Sequence, residues 1–345
     1  MKKKMVSLLV AAVFIIGALS GCGNKSESAS KTQDTKTSEG ELKVLRAAVM
    51  TGQLDQYATE IGLWKGIFKK YGIDLQTTEF VAGVNTIDSV VTGTADVGMM
   101  SDYAVVNRFG NTLEETDLKI FSELSGAGAK NGGLYVAPEY ADNLEKLDGS
   151  KGFMTVAGTV YDYYASQAFN YLGFDETKQN LINTDSSQTQ LALVKSGDAS
   201  AIVALGSSGI YFEQYGWKLA VKSEDMGIET GTYLLAKENF IAENKELLSN
   251  YLKALAESVQ YVDANLDESA EYLADKLGIK AEDFKLQWQT YQIKTGFSEE
   301  AGVHLEEISK WAFEHEKYPK EYNIRDFIDT SVVESAFPEN VTIKK

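Results

Sequence analysis

The sequence predicts an α/β protein of two lobes, each with a central, mostly parallel sheet flanked by helices. Three observations lead there. Apolar runs of strand length alternate with segments whose apolar residues recur at helical spacing. The alternation restarts after residues 126–133, which hold four glycines in eight positions. From residue 42 onward the chain also has the length of two ordinary domains.

The elements before residue 42 are of another kind. Lys2, Lys3 and Lys4 precede an apolar run from Met5 to Leu19, which is short for a membrane-spanning helix and ends in small residues. Leu19-Ser20-Gly21-Cys22 resembles the bacterial lipobox, so residues 1–21 read as a lipoprotein signal peptide and Cys22 as the lipidation site. Cys22 is the only cysteine of the chain. Residues 23–41 carry no large apolar side chain; with Cys22 they are expected to form a flexible tether.

Leu42–Met50 reads as a buried strand. Tyr57, Ile61, Trp64, Phe68 and Tyr71 predict a helix over 57–71, stopped by Gly72. Strands are expected at Ile73–Phe80, Ala95–Met100 and Leu118–Leu124, with helices at Asn85–Thr92 and Tyr103–Phe109 between them. After the glycine cluster, a candidate hinge, strands are expected at Leu134–Ala137, 153–157 and Ala199–Leu205. Helices are expected at Thr159–Leu172 and Gln188–Lys195. Thr232–Ala236 reads as a returning strand. From Asn244 the pattern is mostly helical, with Leu248, Leu252, Leu255, Val259 and Val262 on one face.

Composition removes several function classes. Asp+Glu number 50 against 33 Lys+Arg, a net charge of −17, where a nucleic-acid binder carries a basic patch. Loss of the signal peptide removes three lysines and takes the charge to −20. One cysteine excludes disulfide frameworks, iron–sulfur clusters and cysteine zinc sites, and two histidines leave little for other metal chemistry. His304 and His315 stand eleven residues apart on a charged helical segment and read as a solvated face. No Gly-x-Ser-x-Gly surrounds Ser207, and Gly126-Ala127-Gly128 lacks the third glycine of a dinucleotide fingerprint. No cofactor and no metal is expected.

Four segments in order, Trp64-Lys65-Gly66-Ile67-Phe68-Lys69-Lys70-Tyr71-Gly72-Ile73, Thr92-Gly93-Thr94-Ala95-Asp96-Val97-Gly98, residues 144–152 (LEKLDGSKG) and Lys195-Ser196-Gly197-Asp198-Ala199-Ser200-Ala201, follow the lipobox. In that order the chain resembles the extracytoplasmic solute-binding lipoproteins of ABC importers, of the nitrate/sulfonate/taurine/thiamine-precursor group. The resemblance implies a periplasmic-binding-protein-like type II fold with a ligand cleft between the lobes. It implies a first lobe of residues 42–128 plus 230–345 and a second of 129–229, crossed twice by the chain. It also implies a monomer that hands a small solute to a permease and its ATPase and is held to the outer face of a bacterial membrane by its lipid. Relatives that make the thiamine pyrimidine carry a cysteine-rich motif, which this chain lacks. A surface-anchored enzyme or sensor subunit on the same fold stands as the alternative.

Ligands of open α/β sheets bind beyond the carboxyl ends of the strands. Loops 51–57, 81–86, 99–103, 158–163, 183–188 and 204–208 would lie there. They supply the candidate ligand contacts Gln53, Asp55, Tyr57, Asn85, Ser101, Asp102, Thr159, Tyr161, Asp162, Asp185, Ser186 and Gly206, with Tyr103 and Tyr163 among the loop aromatics. No Lys or Arg occurs in these loops, so four carboxylates beside tyrosines suit an amine or a nitrogen-rich ring. Helix N-termini can also hold an anion, which keeps sulfonate, taurine and nitrate open. Asp102, Asp162 and Asp185 precede expected helices, where Asp equally serves as a cap; Arg46 and Arg108 can bind an anion or pair with a neighbouring acid.

Overall fold

The computed structural model describes residues 42–344 apart from 81–82, 114–115, 128–131, 148–150, 157–158, 185–186, 206–207 and 291. Cys22 and the rest of 1–41, part of the glycine-rich hinge candidate, and Asp185, Ser186 and Gly206 lie outside the described residues.

The chain runs β1 (Lys43–Met50), α1 (Leu54–Trp64), α2 (Ile67–Lys70), β2 (Ile73–Phe80), α3 (Gly83–Val91), β3 (Val97–Ser101), α4 (Asp102–Thr112) and β4 (Leu118–Ala127). A second set follows: β5 (Gly132–Val136), β6 (Gly152–Thr155), α5 (Val160–Leu172), β7 (Leu181–Asn183), α6 (Ser187–Ser196), β8 (Ala199–Leu205), α7 (Ser208–Glu213) and β9 (Lys218–Lys222). The chain returns through β10 (Thr230–Lys237) to α8 (Glu238–Glu243), α9 (Lys245–Ala264), α10 (Leu266–Leu277), α11 (Ala281–Thr290), β11 (Gln292–Gly296), α12 (Glu299–Glu314) and α13 (Ser331–Ala336).

Two mixed sheets result, with orders β11-β4-β10-β3-β1-β2 and β7-β6-β8-β5-β9. Each has three parallel strands along one side: β1 between β3 and the edge strand β2, and β6 between β8 and the edge strand β7. Each is extended antiparallel by a strand that has just crossed from the other set, β10 beside β3 and β5 beside β8. A strand arriving from the far side can pair antiparallel without the crossover helix that parallel neighbours need. At β5 the crossing is tight: a Cβ on Gly133 (φ +152°) would stand 2.0 Å from the Val221 carbonyl oxygen.

The single helix expected over 57–71 is two. Gly66 has φ 69°, a left-handed turn that ends α1 and starts α2 in a new direction. The mostly helical C-terminal stretch also contains β11, which pairs with β4 at the sheet edge. Its sequence, QIKTG, has only one large apolar residue to signal a strand.

One apolar cluster joins α4 and α12 to the β5–β9 set, with Trp311 of α12 edge-on to both Tyr103 and Tyr163. Another places the face of α9 (Leu248, Leu252 and Leu255) against β1 and α13. A third gathers α1, α10 and α11 around Phe284, which stands edge-on to Tyr57. The solvated face expected for His304 is contradicted: the ring is 7 % exposed and bonded to Asp102. His304, Ile308, Trp311 and His315 share one helical face, and the packing of Trp311 carries His304 inward.

Candidate functional site

The carboxyl ends of β1 and β3 open onto a cavity of about 460 Å³. Met50 and Met99 come from those strands, and Ser101 ends β3. Gln53, Leu54 and Asp55 form the start of α1, Gly83 and Val84 the start of α3, and Tyr103 and Ala104 the first turn of α4. Leu124 and Ser125 of β4 and Thr230 and Thr232 of β10 close one side. Gln287 of α11 and Ile293 of β11 reach in from the C-terminal segment. Thr159 and Val160 are the contribution of the β5–β9 set among the described residues.

Several of these side chains are already engaged within the protein. Ser125 and Thr232 share a hydroxyl–hydroxyl hydrogen bond. Thr159 caps α5, its Oγ1 accepting from Tyr161 N at 3.3 Å and donating to the Val156 carbonyl at 2.6 Å. Gln287 donates to the Gly52 carbonyl (3.1 Å) and accepts from the Tyr57 hydroxyl (3.3 Å). Two wall residues carry polar atoms that are not engaged: Asp55 Oδ1 and the Tyr103 hydroxyl are buried with no hydrogen-bond partner among the described residues.

Asp55 is the one charged side chain on the wall among the described residues. It is 7 % exposed, and its other oxygen accepts from Met50 N at 3.4 Å. Burial pushes its carboxyl up to about 7, against the opposing pull of the backbone N–H groups of Met50, Gln56 and Asp55 itself. Burial also pushes the Tyr103 phenol up to about 12, helped by the charge of Asp162.

Of the residues expected to touch ligand, Gln53, Asp55, Ser101 and Thr159 share this wall. Tyr57 points its ring into the α1–α11 core, and its hydroxyl donates to Gln287 of the wall. Asn85 is exposed on α3. Asp102 is fully buried off the wall: it accepts from Tyr103 N (2.7 Å) and Gly231 N (2.9 Å) and pairs with His304 Nε2 at 2.9 Å. Its position ties α4, β10 and α12 together. Asp162 accepts from Thr155 Oγ1 at 2.9 Å and faces Lys317 at 3.5 Å, while Tyr161 packs against Tyr164. Arg46 and Arg108 pair with Asp96 and Asp88.

Tyr103, Gln287, Ile293, Thr230 and Thr232 stand on the wall without having been singled out as contacts. Tyr103 had a signal, its place in the 99–103 loop. The others had none, because α11, β10 and β11 reach the site only through long-range packing. Among the described residues, no group of three or more His, Cys, Asp or Glu is placed to hold a metal ion. No helix of the described residues is long and apolar enough to cross a membrane.

Comparison with solved structures shows a shared fold at low identity. The periplasmic aliphatic sulphonate binding protein SsuA from Escherichia coli superposes with a TM-score of 0.71 at 17% identity, over 83% of this chain and 97% of that one. The periplasmic nitrate-binding protein NrtA from Synechocystis PCC 6803 gives 0.63 at 14%, over 87% and 89%. The ligand binding component of an ABC-type import system from Staphylococcus aureus gives 0.63 at 11%, over 85% and 99%. The fold is therefore that of the type II periplasmic binding proteins. No protein of curated function matches the sequence. Residues 61–269, more than half of the chain, match the profile of the NMT1/THI5-like proteins, and the chain belongs to that family.

Proposed function

We propose that this protein is the substrate-binding component of an ABC importer, a receptor that binds a small organic solute without changing it. The observation that carries the reading is the composition of the cavity wall. It sits at the carboxyl ends of parallel strands, where α/β folds bind ligands, and both sheet sets contribute to it. A solute held there would draw residues 129–229 onto residues 42–128 and 230–345 and favour a closed form for a permease and its ATPase to read. The named activities of similar structures, sulphonate binding, nitrate binding and ABC-type import, support the receptor class. The receptor acts as a monomer, held outside the cell membrane by lipid on Cys22.

The ligand in this reading is an amine or a nitrogen heterocycle such as a thiamine precursor. The wall offers Asp55 and no Lys, Arg or His among its described residues. A sulfonate, taurine or nitrate ligand is the second reading, and one observation favours it: α1, α3, α4 and α5 all begin at the wall, and helix N-termini attract anions. Donors at three of those ends already have protein acceptors, in Asp55, Asp102 and Thr159.

A thermal-shift screen of the chain from residue 42 over amines, aminopyrimidines, alkanesulfonates and small anions tests the reading, because a solute that binds only the folded state raises Tm. An amine or heterocycle should raise Tm and reduce the radius of gyration in solution scattering. A Tm raised by taurine or nitrate alone supports the second ligand reading. Turnover of the bound compound would mean an enzyme on this fold.

A further inference from the structure

We propose that Asp55 is the counter-charge for a monocationic ligand with an apolar body, and that the ligand's positive charge takes the place of a proton on Asp55. The proposal rests on the receptor reading above and adds to it how the site is gated by pH.

The geometry has three parts. Asp55 is held at the start of α1, where Gln53 precedes the helix and Gly52 N donates to Gln56 Oε1 at 2.7 Å. Its Oδ1 is buried with no hydrogen-bond partner among the described residues, an unmatched acceptor on a residue of the cavity wall. The wall it belongs to is mixed, with hydroxyl and amide side chains beside a larger apolar area from Met50, Leu54, Met99, Leu124, Val160 and Ile293. A protonated nitrogen at Asp55 with an apolar remainder satisfies both features.

The surroundings of Asp55 set its proton affinity. Tyr57 on its own helix and Tyr251 on α9 are the titratable groups it acts on, and Tyr57 also feels Asp283 of α11. Burial dominates, and among the described residues no cationic side chain offsets it. In the ligand-free protein the carboxyl therefore holds its proton in the acid-to-neutral range. An ammonium group arriving beside it supplies the missing opposite charge, and the proton leaves to solvent. The charge balance is one cation in and one proton out, with no bond to carbon made or broken.

The test uses benzylamine and 2-phenylethylamine, cationic throughout the range examined, in titration calorimetry between pH 5 and 8. Heats measured in buffers of different ionisation enthalpy count the protons exchanged. The expected result is release of about one proton per amine bound below pH 7. Affinity should rise about tenfold per pH unit there and level off above. Asp55→Asn, which keeps the shape, should abolish proton release and weaken binding on the order of a hundredfold, the scale of removing one partner of a buried charge pair. Carboxyl-carbon NMR of the ligand-free protein gives a readout without ligand: Asp55 should titrate near neutrality, and ionisation complete by pH 5 would overturn the proposal.

Amine binding without proton release, or undiminished in Asp55→Asn, would overturn it as well. Binding of an alkanesulfonate or a neutral solute while both amines fail overturns this assignment and leaves the receptor reading standing. A chain that no solute of any charge stabilises overturns both.

Discussion

Replacing Asp55 by asparagine should make the ligand-free protein more stable, and more so as the pH rises. In the native protein the carboxyl titrates at about 7, against 3.8 for the ordinary group. Between those values the native state binds more protons than the unfolded chain, so stability falls as pH increases across that window. Below 3.8 both states are protonated and the group costs nothing; above 7 the full penalty is present. Holding the carboxyl at about 7 in place of 3.8 corresponds to a penalty of about 4 kcal/mol, an upper figure because a native carboxylate can draw in water. Asparagine keeps the volume and an oxygen for Met50 N, which removes the charge and little else. Urea unfolding of wild type and Asp55→Asn, at pH 5 and pH 8.5 without ligand, reads the effect directly. The variant should gain about 2–3 kcal/mol more at pH 8.5 than at pH 5, because part of the penalty is already present at pH 5. An equal difference at both pH values would refute the reasoning, because it would place the carboxyl's titration at its ordinary value.

His304→Gln should cost about 3–5 kcal/mol by leaving Asp102 buried without its charged partner, as read by denaturant unfolding. Burial pulls the His304 imidazole down, but the hydrogen bond and charge of Asp102, with Glu229 and Glu307, outweigh it and hold the ring above its ordinary 6.5. The stabilisation is therefore complete below 6.5 and lost as pH rises through the raised value, so the variant should be hurt more at pH 5.5 than at pH 9. Gly133→Ala should disrupt folding, since its Cβ would overlap the Val221 oxygen, whereas Gly72→Ala (φ +75°, open space) should cost only ~1–2 kcal/mol in thermal unfolding. Cys22→Ser should leave the protein out of the membrane fraction when cells are separated and blotted.

The parallel part of each sheet was legible because β3, β6 and β8 are short runs of apolar or small residues, buried along most of their length, and β1 carries the buried run Ala47-Ala48-Val49. Gly173, with φ 70° after α5, ends its helix where the sequence placed the stop. Boundaries failed where one residue redirects the chain, as at Gly66. The site was legible as a set of loops and not as a set of side chains. Asp55, Asp102 and Asp162 are alike in sequence, each in the first turn of a helix. What separates them lies far along the chain: His304, 202 residues away, takes Asp102, and Lys317, 155 residues away, faces Asp162. No local pattern encodes those partners. The helical spacing of His304, Ile308 and Trp311 did carry a signal for a buried face, but the charged neighbours Glu306, Glu307 and Lys310 concealed it.

The contrast among these three carboxylates also bears on why Asp55 is present. Asp102 links three elements through two backbone N–H groups and an imidazole, and Asp162 has a hydroxyl and an ammonium group. Each satisfies groups that would otherwise be stranded. Asp55 accepts from Met50 N at 3.4 Å, feels the backbone N–H groups of its own helix end, and leaves Oδ1 without a hydrogen-bond partner among the described residues, in a position where asparagine or serine would serve the first turn of α1 as well. The ligand-free fold gains nothing from its charge and is weakened by it above neutrality. A buried group that burdens the fold, lines a cavity and has one oxygen without a partner among the described residues is explained by a partner from outside the chain. The stability experiment and the amine titration therefore interrogate one property from two sides. The carboxyl that makes the empty protein less stable as pH rises is the one that makes a cation bind more tightly over the same interval.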